Sequence, residues 1–216
     1  MAQRPDGQEE YLEQIYRISP KGQVPFSALT RALGVKGASV TEMCRNLAEK
    51  GLAVYEPRNG VSLTEEGRKQ AAGLVRRHRL AERMLTDLIG LPWELAHDEA
   101  CKYEHVISAQ VEQLLADALP KTCPHGNPID GDAAEAEPLT ELEPGTRGEV
   151  SRIEREETEV LRYLSQLGLV PGARVEVMDR APLGGPLLIS VGEANYAIGR
   201  DVAERVMVRR SPHVVA

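Results

Sequence analysis

Long hydrophobic runs are missing from this sequence. Its apolar stretches are short and interrupted by charged residues, whereas a membrane-spanning helix needs about 20 consecutive apolar residues. The segment before Tyr16 carries acidic side chains where a secretion signal needs an apolar core. We therefore expect a protein without a membrane segment that resides in the cytoplasm.

Cysteine is also scarce. Cys44, Cys101 and Cys123 are the three cysteines in 216 residues. An odd number argues against a disulfide framework and for reduced thiols. One of these thiols can serve as a metal ligand, but the count alone does not say which.

Basic charge is in short supply overall, although not in every part of the chain. The net charge is −7, which disfavours nucleic-acid binding if it is taken for the whole protein. Between Ile129 and Glu159, however, eleven acidic side chains accompany only three basic ones, so this window alone contributes −8. Residues 1–64 hold eight basic and seven acidic side chains. The N-terminal part is nearly neutral and is compatible with phosphate binding.

The spacing of apolar residues predicts three short helices and a hairpin at the start of the chain. The turn Gly34–Gly37 between the second and third helices gives helix-turn-helix spacing. After Gly51 the pattern alternates, and a turn at Arg58-Asn59-Gly60 joins two short strands into a wing. The apolar positions of the helices are Leu12, Ile15 and Tyr16, then Phe26, Leu29 and Leu33, then Val40, Met43, Cys44 and Leu47.

The remainder of the chain is predicted to form two long helices, a linker and a small β-barrel. The first helix runs from Thr64, its N-cap, to about Gly90, and the second from about Trp93 to Leu119. A proline-rich acidic segment follows and is typical of a linker. Short β-type runs and one helix near 160–167 then predict the barrel.

Potential metal ligands are concentrated in the segment 97–105. On a helix, four of them fall within an arc of about 100°. A single His or Glu on a helix is usually an ordinary polar residue. A helix face that packs in a core is apolar, however, and a solvated face rarely contains Cys. The four residues together therefore favour a metal site. The four are His97, Cys101, Glu104 and His105, and the pairs His78 with Glu82 and Glu10 with Glu13 also share helix faces.

The types of ligand narrow the choice of ion. Carboxylates and imidazoles with a single thiolate suit divalent ions such as Mn²⁺ or Fe²⁺, whereas a structural zinc site is commonly richer in cysteine. Zinc is disfavoured but stays open. Cys123 and His125 lie in a CPHG turn, for which metal binding and a purely structural role both remain open.

Seven segments carry a resemblance to a known family. They are 9–16, 37–52, 76–91, 97–108, 123–129, 168–177 and 181–191. Together they resemble the diphtheria toxin repressor family of metal-dependent transcriptional regulators. The resemblance implies a mainly α fold with a small amount of β structure. Its parts are a winged helix-turn-helix DNA-binding domain (1–64), a helical metal-binding and dimerisation domain (65–128), an acidic, proline-rich linker (129–144) and an SH3-like β-barrel (145–212).

The resemblance also implies two metal ions per subunit. In iron-type members of the family, the SH3-like module donates two ligands, a Glu and a Gln. Glu157 is the expected counterpart of the Glu, with Glu156 and Glu159 as substitutes. Val160 stands at the position of the Gln. The implied primary site is Glu10, Cys101, Glu104 and His105, with Glu13 as an extra ligand, and the implied second site is His78, Glu82 and His97. Iron-type members carry Met at the position of Glu10, and a carboxylate there favours Mn²⁺, with Fe²⁺ as the alternative.

The family further implies a homodimer that binds a palindromic operator in double-stranded DNA and represses metal-uptake genes. The third predicted helix, from about Ala38 to Lys50, is the recognition helix. The candidate DNA contacts lie near its exposed start and in the wing: Lys36, Ser39, Thr41, Glu42, Arg45 and Arg58. One alternative is a winged-helix regulator that answers to a small organic ligand. A metal-dependent hydrolase is a weaker alternative, because the sequence has no HExxH run, and we expect no enzyme activity.

Overall fold

The computed structural model describes residues 7–19 and 21–211. The outer ends of two predicted domains, residues 1–6 and residue 212, lie outside these ranges. One compact unit comprises the residues up to His78 together with Glu104–Ile107, and the other comprises Arg79–Tyr103 together with the residues from Ser108 onward. The helices are α1 (Gly7–Ile18), α2 (Phe26–Leu33), α3 (Gly37–Glu49), α4 (Glu65–Arg83), α5 (Trp93–Tyr103), α6 (Ala109–Ala118), α7 (Thr158–Gln166) and α8 (Arg200–Ala203). The strands are β1 (Ala53–Glu56), β2 (Gly60–Leu63), β3 (Glu137–Pro138), β4 (Arg147–Ile153), β5 (Arg174–Arg180), β6 (Leu187–Val191), β7 (Ala194–Ile198) and β8 (Val206–Arg210).

The first unit begins with the three helices that the sequence predicts. Each helix buries an apolar stripe in one core, in which Leu12, Leu29 and Leu47 are fully enclosed. Helix α2 ends at Gly34, whose φ of 63° lies in the left-handed region that glycine adopts without strain. This residue makes the tight turn before α3, and the predicted helix-turn-helix is confirmed.

The predicted wing follows α3. Strands β1 and β2 pair antiparallel, with Ala53 opposite Leu63. A Cβ on Gly60 would lie 2.2 Å from the carbonyl oxygen of Val24, so the hairpin contacts the segment before α2 at a distance that only glycine permits. The side chain of Thr64 accepts a hydrogen bond from the amide of Gly67 at 3.1 Å, and Thr64 therefore caps α4 as predicted.

The middle helices are shorter than the sequence predicts. Helix α4 is followed by a π-helical segment, Met84–Leu88. The span from Trp93 to Leu119 is not one helix but two, because α5 ends at Tyr103 and Ser108 caps a new helix, α6. Among the helices of the two described ranges, none is long and apolar enough to cross a bilayer.

The break between α5 and α6 changes the place of two predicted ligands. Glu104 and His105 lie in a turn after the end of α5. The prediction that they share one helix face with His97 and Cys101 is therefore wrong. Glu104 and His105 remain candidate ligands, but they lie in a turn and not on one face of a helix.

The second unit contains the predicted small β module. Its sheet is antiparallel and has the strand order β3-β8-β4-β5-β6-β7. Helix α7 begins at Thr158, slightly earlier than predicted, and buries Leu161 and Leu164 against the sheet. The other large buried side chains of this core include Ile153, Leu169, Leu187, Ile189 and Ile198.

Part of the predicted linker belongs to this module. Leu139 and Leu142 are fully buried in its core. The short strand β3 pairs with β8 through Glu137 and Pro138. The proline-rich composition that suggested a linker thus includes residues with a structural role in the barrel.

Candidate metal centres and nucleic-acid interface

Glu104 lies at the centre of a group of acidic and imidazole side chains in the first unit. Its Oε2 is 2.5 Å from His78 Nδ1, and its Oε1 is 3.2 Å from His105 Nε2. Glu13 Oε1 lies 4.0 Å from His78 Nδ1. Glu9 Oε2 lies 2.6 Å from His105 Nδ1. We call these five residues the first cluster.

Local structure explains how the first cluster is assembled. Glu9 and Glu13 are separated by four residues on α1, so their side chains leave the same face of the helix. Glu104 and His105 follow the last residue of α5. The Arg77 side chain holds this turn, since its Nε donates a hydrogen bond of 3.0 Å to the backbone carbonyl of Glu104.

Two carboxylates of the first cluster are withdrawn from water. Glu104 is 2 % exposed and Glu13 is 5 % exposed. Burial raises the pKa of Glu104 and outweighs the opposing effect of His78. Burial acts in the same direction on Glu13, but the Arg17 guanidinium, 2.7 Å away, and His78 hold the pKa of Glu13 below its usual value. Buried acidic groups this close together gain from a nearby cation.

A second cluster lies within the second unit and contains a thiol. Glu156 Oε2 is 2.9 Å from His97 Nδ1 and Glu156 Oε1 is 3.5 Å from His125 Nδ1. Glu82 Oε1 lies 3.3 Å from His125 Nδ1 and 3.4 Å from His97 Nδ1. The Cys123 sulfur is 3.9 Å from His125 Nδ1 and 4.0 Å from Glu156 Oε1. These five residues are the second cluster.

His125 is held in one orientation by Trp93. Its Nε2 donates a hydrogen bond of 2.9 Å to the backbone carbonyl of Trp93. The two rings also pack together, with their centroids 5.3 Å apart. Since Nε2 is occupied in this way, Nδ1 faces Glu82 and Glu156, and a carbonyl that fixes one ring nitrogen leaves the other for a metal ion.

Burial and close contacts shift the pKa values of three groups in the second cluster, His125, Glu156 and Cys123. Burial disfavours the charged form of His125, but contacts with Cys123, Glu156 and Glu82 raise its pKa far above the usual value. Burial also opposes ionisation of Glu156, yet His125 and His97 hold its pKa well below the usual value. Burial raises the pKa of Cys123 to about 11. An ion bound here has to displace protons from Cys123 and His125, so its affinity rises with pH.

Each cluster contains a set of ligand atoms that lie close enough together to hold one ion of its own. The ligand atoms of Glu13, His78 and Glu104 lie within 4.8 Å of one another, and so do those of Glu82, Cys123, His125 and Glu156. Metal–ligand bonds of about 2.0–2.5 Å place opposite ligands at most about 5 Å apart. The donor sets therefore fit a divalent ion, with oxygen and nitrogen in the first cluster and additional sulfur in the second.

Not every predicted ligand lies in these clusters. Glu10 is exposed on α1, one residue after Glu9. Glu157 is mostly exposed and pairs with Arg205 at 2.9 Å, so it is not the residue of the β-module that faces His97. That residue is Glu156, which the sequence offered only as a substitute, while Glu159 is exposed on α7.

The remaining predicted ligands divide between the two units. His78, implied in the second site by the resemblance, lies beside Glu104 and Glu13 in the first unit. Cys101 is half-buried on α5, in the second unit. Glu82 and His97 are both in the second cluster.

Sequence reasoning missed Glu9 and left Cys123 and His125 open. The spacing of Glu9 and Glu13, four residues apart on one helix, was a usable signal for Glu9. The Cys123–His125 pair was visible as a CPHG turn, but only the fold brings it beside Glu82 and Glu156.

The predicted DNA-contact residues lie on α3, at its start and in the wing. All of them except Thr41 are exposed. The hydroxyl of Thr41 donates to the carbonyl of Gly37 at 3.0 Å, so it is engaged within the helix. The Arg45 guanidinium lies 5.4 Å from the centre of the Tyr55 ring on β1, a cation–π contact that orients it. Arg58 has a φ of 73° in the wing turn.

Three family models match consecutive parts of the chain. The iron-dependent repressor N-terminal DNA-binding domain matches residues 6–61. The iron-dependent repressor metal-binding and dimerisation domain matches residues 64–131. The FeoA domain matches residues 137–210. The matches cover the winged helix, the middle helices and the β module in turn.

Individual relatives match nearly the full length. The chain is 36 % identical to the iron-dependent repressor IdeR of Mycobacterium tuberculosis, in a match that covers 95 % of this chain and 97 % of the relative. It is 34 % identical to the diphtheria toxin repressor of Corynebacterium diphtheriae, in a match that covers 94 % of this chain and 96 % of the relative. A solved manganese-dependent transcriptional repressor in complex with manganese matches with a TM-score of 0.87 at 29 % identity. The match covers 94 % of this chain and 100 % of the repressor chain. The chain belongs to the diphtheria toxin repressor family and is a metal-dependent transcriptional repressor.

Proposed function

We propose that this protein is a repressor of metal-uptake genes that senses Mn²⁺, with Fe²⁺ as the alternative ion. It binds two ions per subunit and acts as a homodimer on a palindromic operator in double-stranded DNA. The observation that carries the proposal is the convergence of the buried carboxylates of Glu13 and Glu104 with the imidazole of His78. Because its ligand is DNA, we place the protein in the cytoplasm.

The first cluster is the proposed sensing site. Its ligand atoms are oxygen and nitrogen, a set that suits Mn²⁺. We propose Glu104, His105, Glu13 and His78 as ligands there, with Glu10 joining from the exposed face of α1. Cys101 remains a proposed ligand from the resemblance, and its thiolate keeps Fe²⁺ as an alternative.

The second cluster is the proposed site of the second ion. Its donors are Glu82, His97, Cys123, His125 and Glu156, of which Glu156 replaces Glu157 as the contribution of the SH3-like module. A bound divalent ion supplies positive charge that neutralises the carboxylates and the thiolate. The proposed domain boundaries are those of the sequence prediction, except that residues 137–144 join the SH3-like domain.

Metal binding at the first cluster supports DNA binding by restraining α1. Glu10 and Glu13 belong to α1, which packs in the same core as the recognition helix α3. Glu104 and His105 belong to the segment that leads to α6. An ion held by both groups restrains the winged helix relative to this segment. To shift the protein from mostly unable to mostly able to bind the operator, the metal ions must bind the DNA-binding conformation more tightly than the other conformation by about 5.5 kcal/mol.

Exposed apolar residues supply the proposed dimer surface. Leu88 and Ile89 are 67 % and 66 % exposed after α4, and Leu114 on α6 is 62 % exposed. A two-fold dimer buries the same patch of both subunits and presents two recognition helices to two half-sites.

A fluorescence-anisotropy titration tests the proposed function. The labelled probe is a palindromic promoter fragment, and chelator-treated protein is titrated with Mn²⁺, Fe²⁺ and Zn²⁺ separately. We expect Mn²⁺ to raise operator affinity by about 100-fold, within the usual range of coupling between two sites. Equal operator affinity of the metal-free and the Mn²⁺-loaded protein would refute the proposal.

Replacement of Glu10 by Met tests the selectivity argument. Glu10→Met exchanges a hard carboxylate for a soft thioether, so we expect the ratio of Mn²⁺ to Fe²⁺ affinity to fall by about tenfold, equivalent to about 1.4 kcal/mol. The affinities are measured by the same anisotropy titration under anaerobic conditions. Glu66→Met, at an exposed position of α4, is the control and should leave the ratio unchanged. An unchanged ratio in Glu10→Met would remove Glu10 from the ligand set.

Replacement of Glu42 by Gln tests how α3 reads DNA. Glu42 is exposed on the recognition helix, and no ion pair engages it within residues 7–19 and 21–211. A carboxylate accepts from the cytosine amino group, whereas an amide pairs with adenine. We expect Glu42→Gln to change one base preference per half-site from cytosine to adenine, by about 1–3 kcal/mol.

The measurement for Glu42→Gln is selection from a randomised operator library in the presence of Mn²⁺. Glu49→Gln is the matched control, because Glu49 is an exposed carboxylate at the other end of the same helix. If both variants select the wild-type sequence, Glu42 does not contact a base.

A further inference from the structure

Asn127 contacts the second cluster through the nitrogen of its side-chain amide. Its side-chain Nδ2 donates a hydrogen bond of 2.7 Å to Glu156 Oε1. The same nitrogen lies 3.3 Å from the backbone carbonyl of Ile153, to which it also donates. An amide nitrogen that donates in this way is not a metal ligand, so the contact acts on the carboxylate of Glu156.

Glu156 needs such a partner because it lies outside regular structure. It follows β4 by a short connection and precedes α7. Its two carboxylate oxygens have different neighbours, since Oε1 receives Asn127 and Oε2 lies 2.9 Å from His97. The hydrogen bond from Asn127 thereby fixes the rotation of the carboxylate group, and Oε2 stays directed at His97.

The loop that carries Asn127 is anchored on two sides. On one side, the amide of Ile153 in β4 donates to the carbonyl of His125 at 2.8 Å. On the other side, Arg83 of α4 donates to the carbonyl of Thr122 at 2.6 Å. These contacts use the backbone of the loop and not the Asn127 side chain. We therefore expect these backbone contacts to hold the loop when the Asn127 amide is lost.

We propose that Asn127 is a positioning residue of the second metal site, which orients Glu156 toward the ion. This inference rests on the proposed function of the second cluster. Groups that hydrogen-bond to metal ligands fix their orientation, and their loss commonly weakens metal binding by about 10–100-fold. Asn127 thus determines whether the SH3-like module delivers its ligand in a productive geometry.

The test uses Co²⁺ as a spectroscopic substitute in the full-length protein. A thiolate bound to Co²⁺ gives a charge-transfer absorption, and its loss in Cys123→Ser assigns the absorption to the second site. Because Cys101 is a proposed ligand of the first site, only the part of the absorption that Cys123→Ser removes is titrated, and this part gives the Co²⁺ affinity of the second site. We expect Asn127→Ala to weaken it by about 10–100-fold. Asn195→Ala, at an exposed position of β7, is the matched control and should equal wild type.

A double-variant comparison separates positioning from a general structural effect. In a Glu156→Ala background the acceptor of the Asn127 hydrogen bond is already gone, so we expect Asn127→Ala to cost less than about twofold there. Asn127→Leu has a similar shape without a donor, and it replaces Asn127→Ala if the alanine variant does not fold. Its expected loss is the same.

Different outcomes overturn different claims. Wild-type protein without the Cys123-dependent absorption would overturn the second site and this inference with it. Wild-type protein with the absorption, together with an unchanged affinity in Asn127→Ala and Asn127→Leu, would overturn the inference alone. An equal loss in the wild-type and Glu156→Ala backgrounds would also overturn it, because Asn127 would then act by some route other than Glu156.

Discussion

The Glu104→Gln variant is expected to lose about 100-fold in Mn²⁺-dependent operator affinity, the upper part of the usual range for coupled sites. Glu104 contacts both imidazoles of the first cluster, at 2.5 Å from His78 and 3.2 Å from His105. Gln has the same size but lacks the negative charge that a divalent ion requires. The measurement is fluorescence anisotropy with a palindromic promoter fragment over a Mn²⁺ titration.

The substitution also tests whether the first cluster is needed only for metal. Burial raises the pKa of Glu104, so a neutral amide is tolerated at this position without metal, and we expect the metal-free variant to unfold at a temperature close to that of the metal-free wild type. Glu193→Gln, in the exposed turn between β6 and β7, is the control for loss of one acidic charge. Wild-type Mn²⁺-dependent affinity in Glu104→Gln would show that the sensing ion binds elsewhere.

Periodicity predicted the winged helix well because each of its elements carries its own signal. The stripes of α1, α2 and α3, the turn at Gly34 and the cap at Thr64 are local features, and each is realised as predicted. The same method failed for the span from Trp93 to Leu119. Apolar and polar residues continue in a helical pattern through the break, and Ser108 as the cap of α6 was the overlooked local signal.

The ligands of the second cluster were harder to predict because they come from four separated segments, one of which is α5 with His97. Glu82 lies on α4, Cys123 and His125 on a loop, and Glu156 after β4. Spacing along the chain cannot say which of two adjacent acids faces inward. Glu156 does so and Glu157 pairs with Arg205, because the backbone between β4 and α7 turns at Arg155, which has a φ of 56°.

Gly126→Ala is expected to destabilise the protein and to weaken metal binding at the second site. Gly126 has a φ of 89°, where an L-residue is strained by about 1–2 kcal/mol. An added Cβ would lie 2.2 Å from the carbonyl oxygen of Ser151 and 2.8 Å from the Cα of Arg152. These neighbours are backbone atoms of β4 and cannot rotate away, so forced separation adds about 1–3 kcal/mol. The free energy of unfolding of the metal-free protein should fall by about 2–5 kcal/mol.

Gly131→Ala is the matched control that isolates the clash. Gly131 also has a positive φ, 77°, but a Cβ there would meet no atom within 4 Å. The free energy of unfolding of Gly131→Ala should therefore fall only by the backbone strain, about 1–2 kcal/mol. The two variants are compared by thermal unfolding without metal and by Co²⁺ titration of the Cys123 absorption. Since Gly126 lies between His125 and Asn127, only its variant should displace the ligands and weaken Co²⁺ binding. Equal stabilities and equal Co²⁺ affinities would mean that β4 does not hold the CPHG turn at its observed distance.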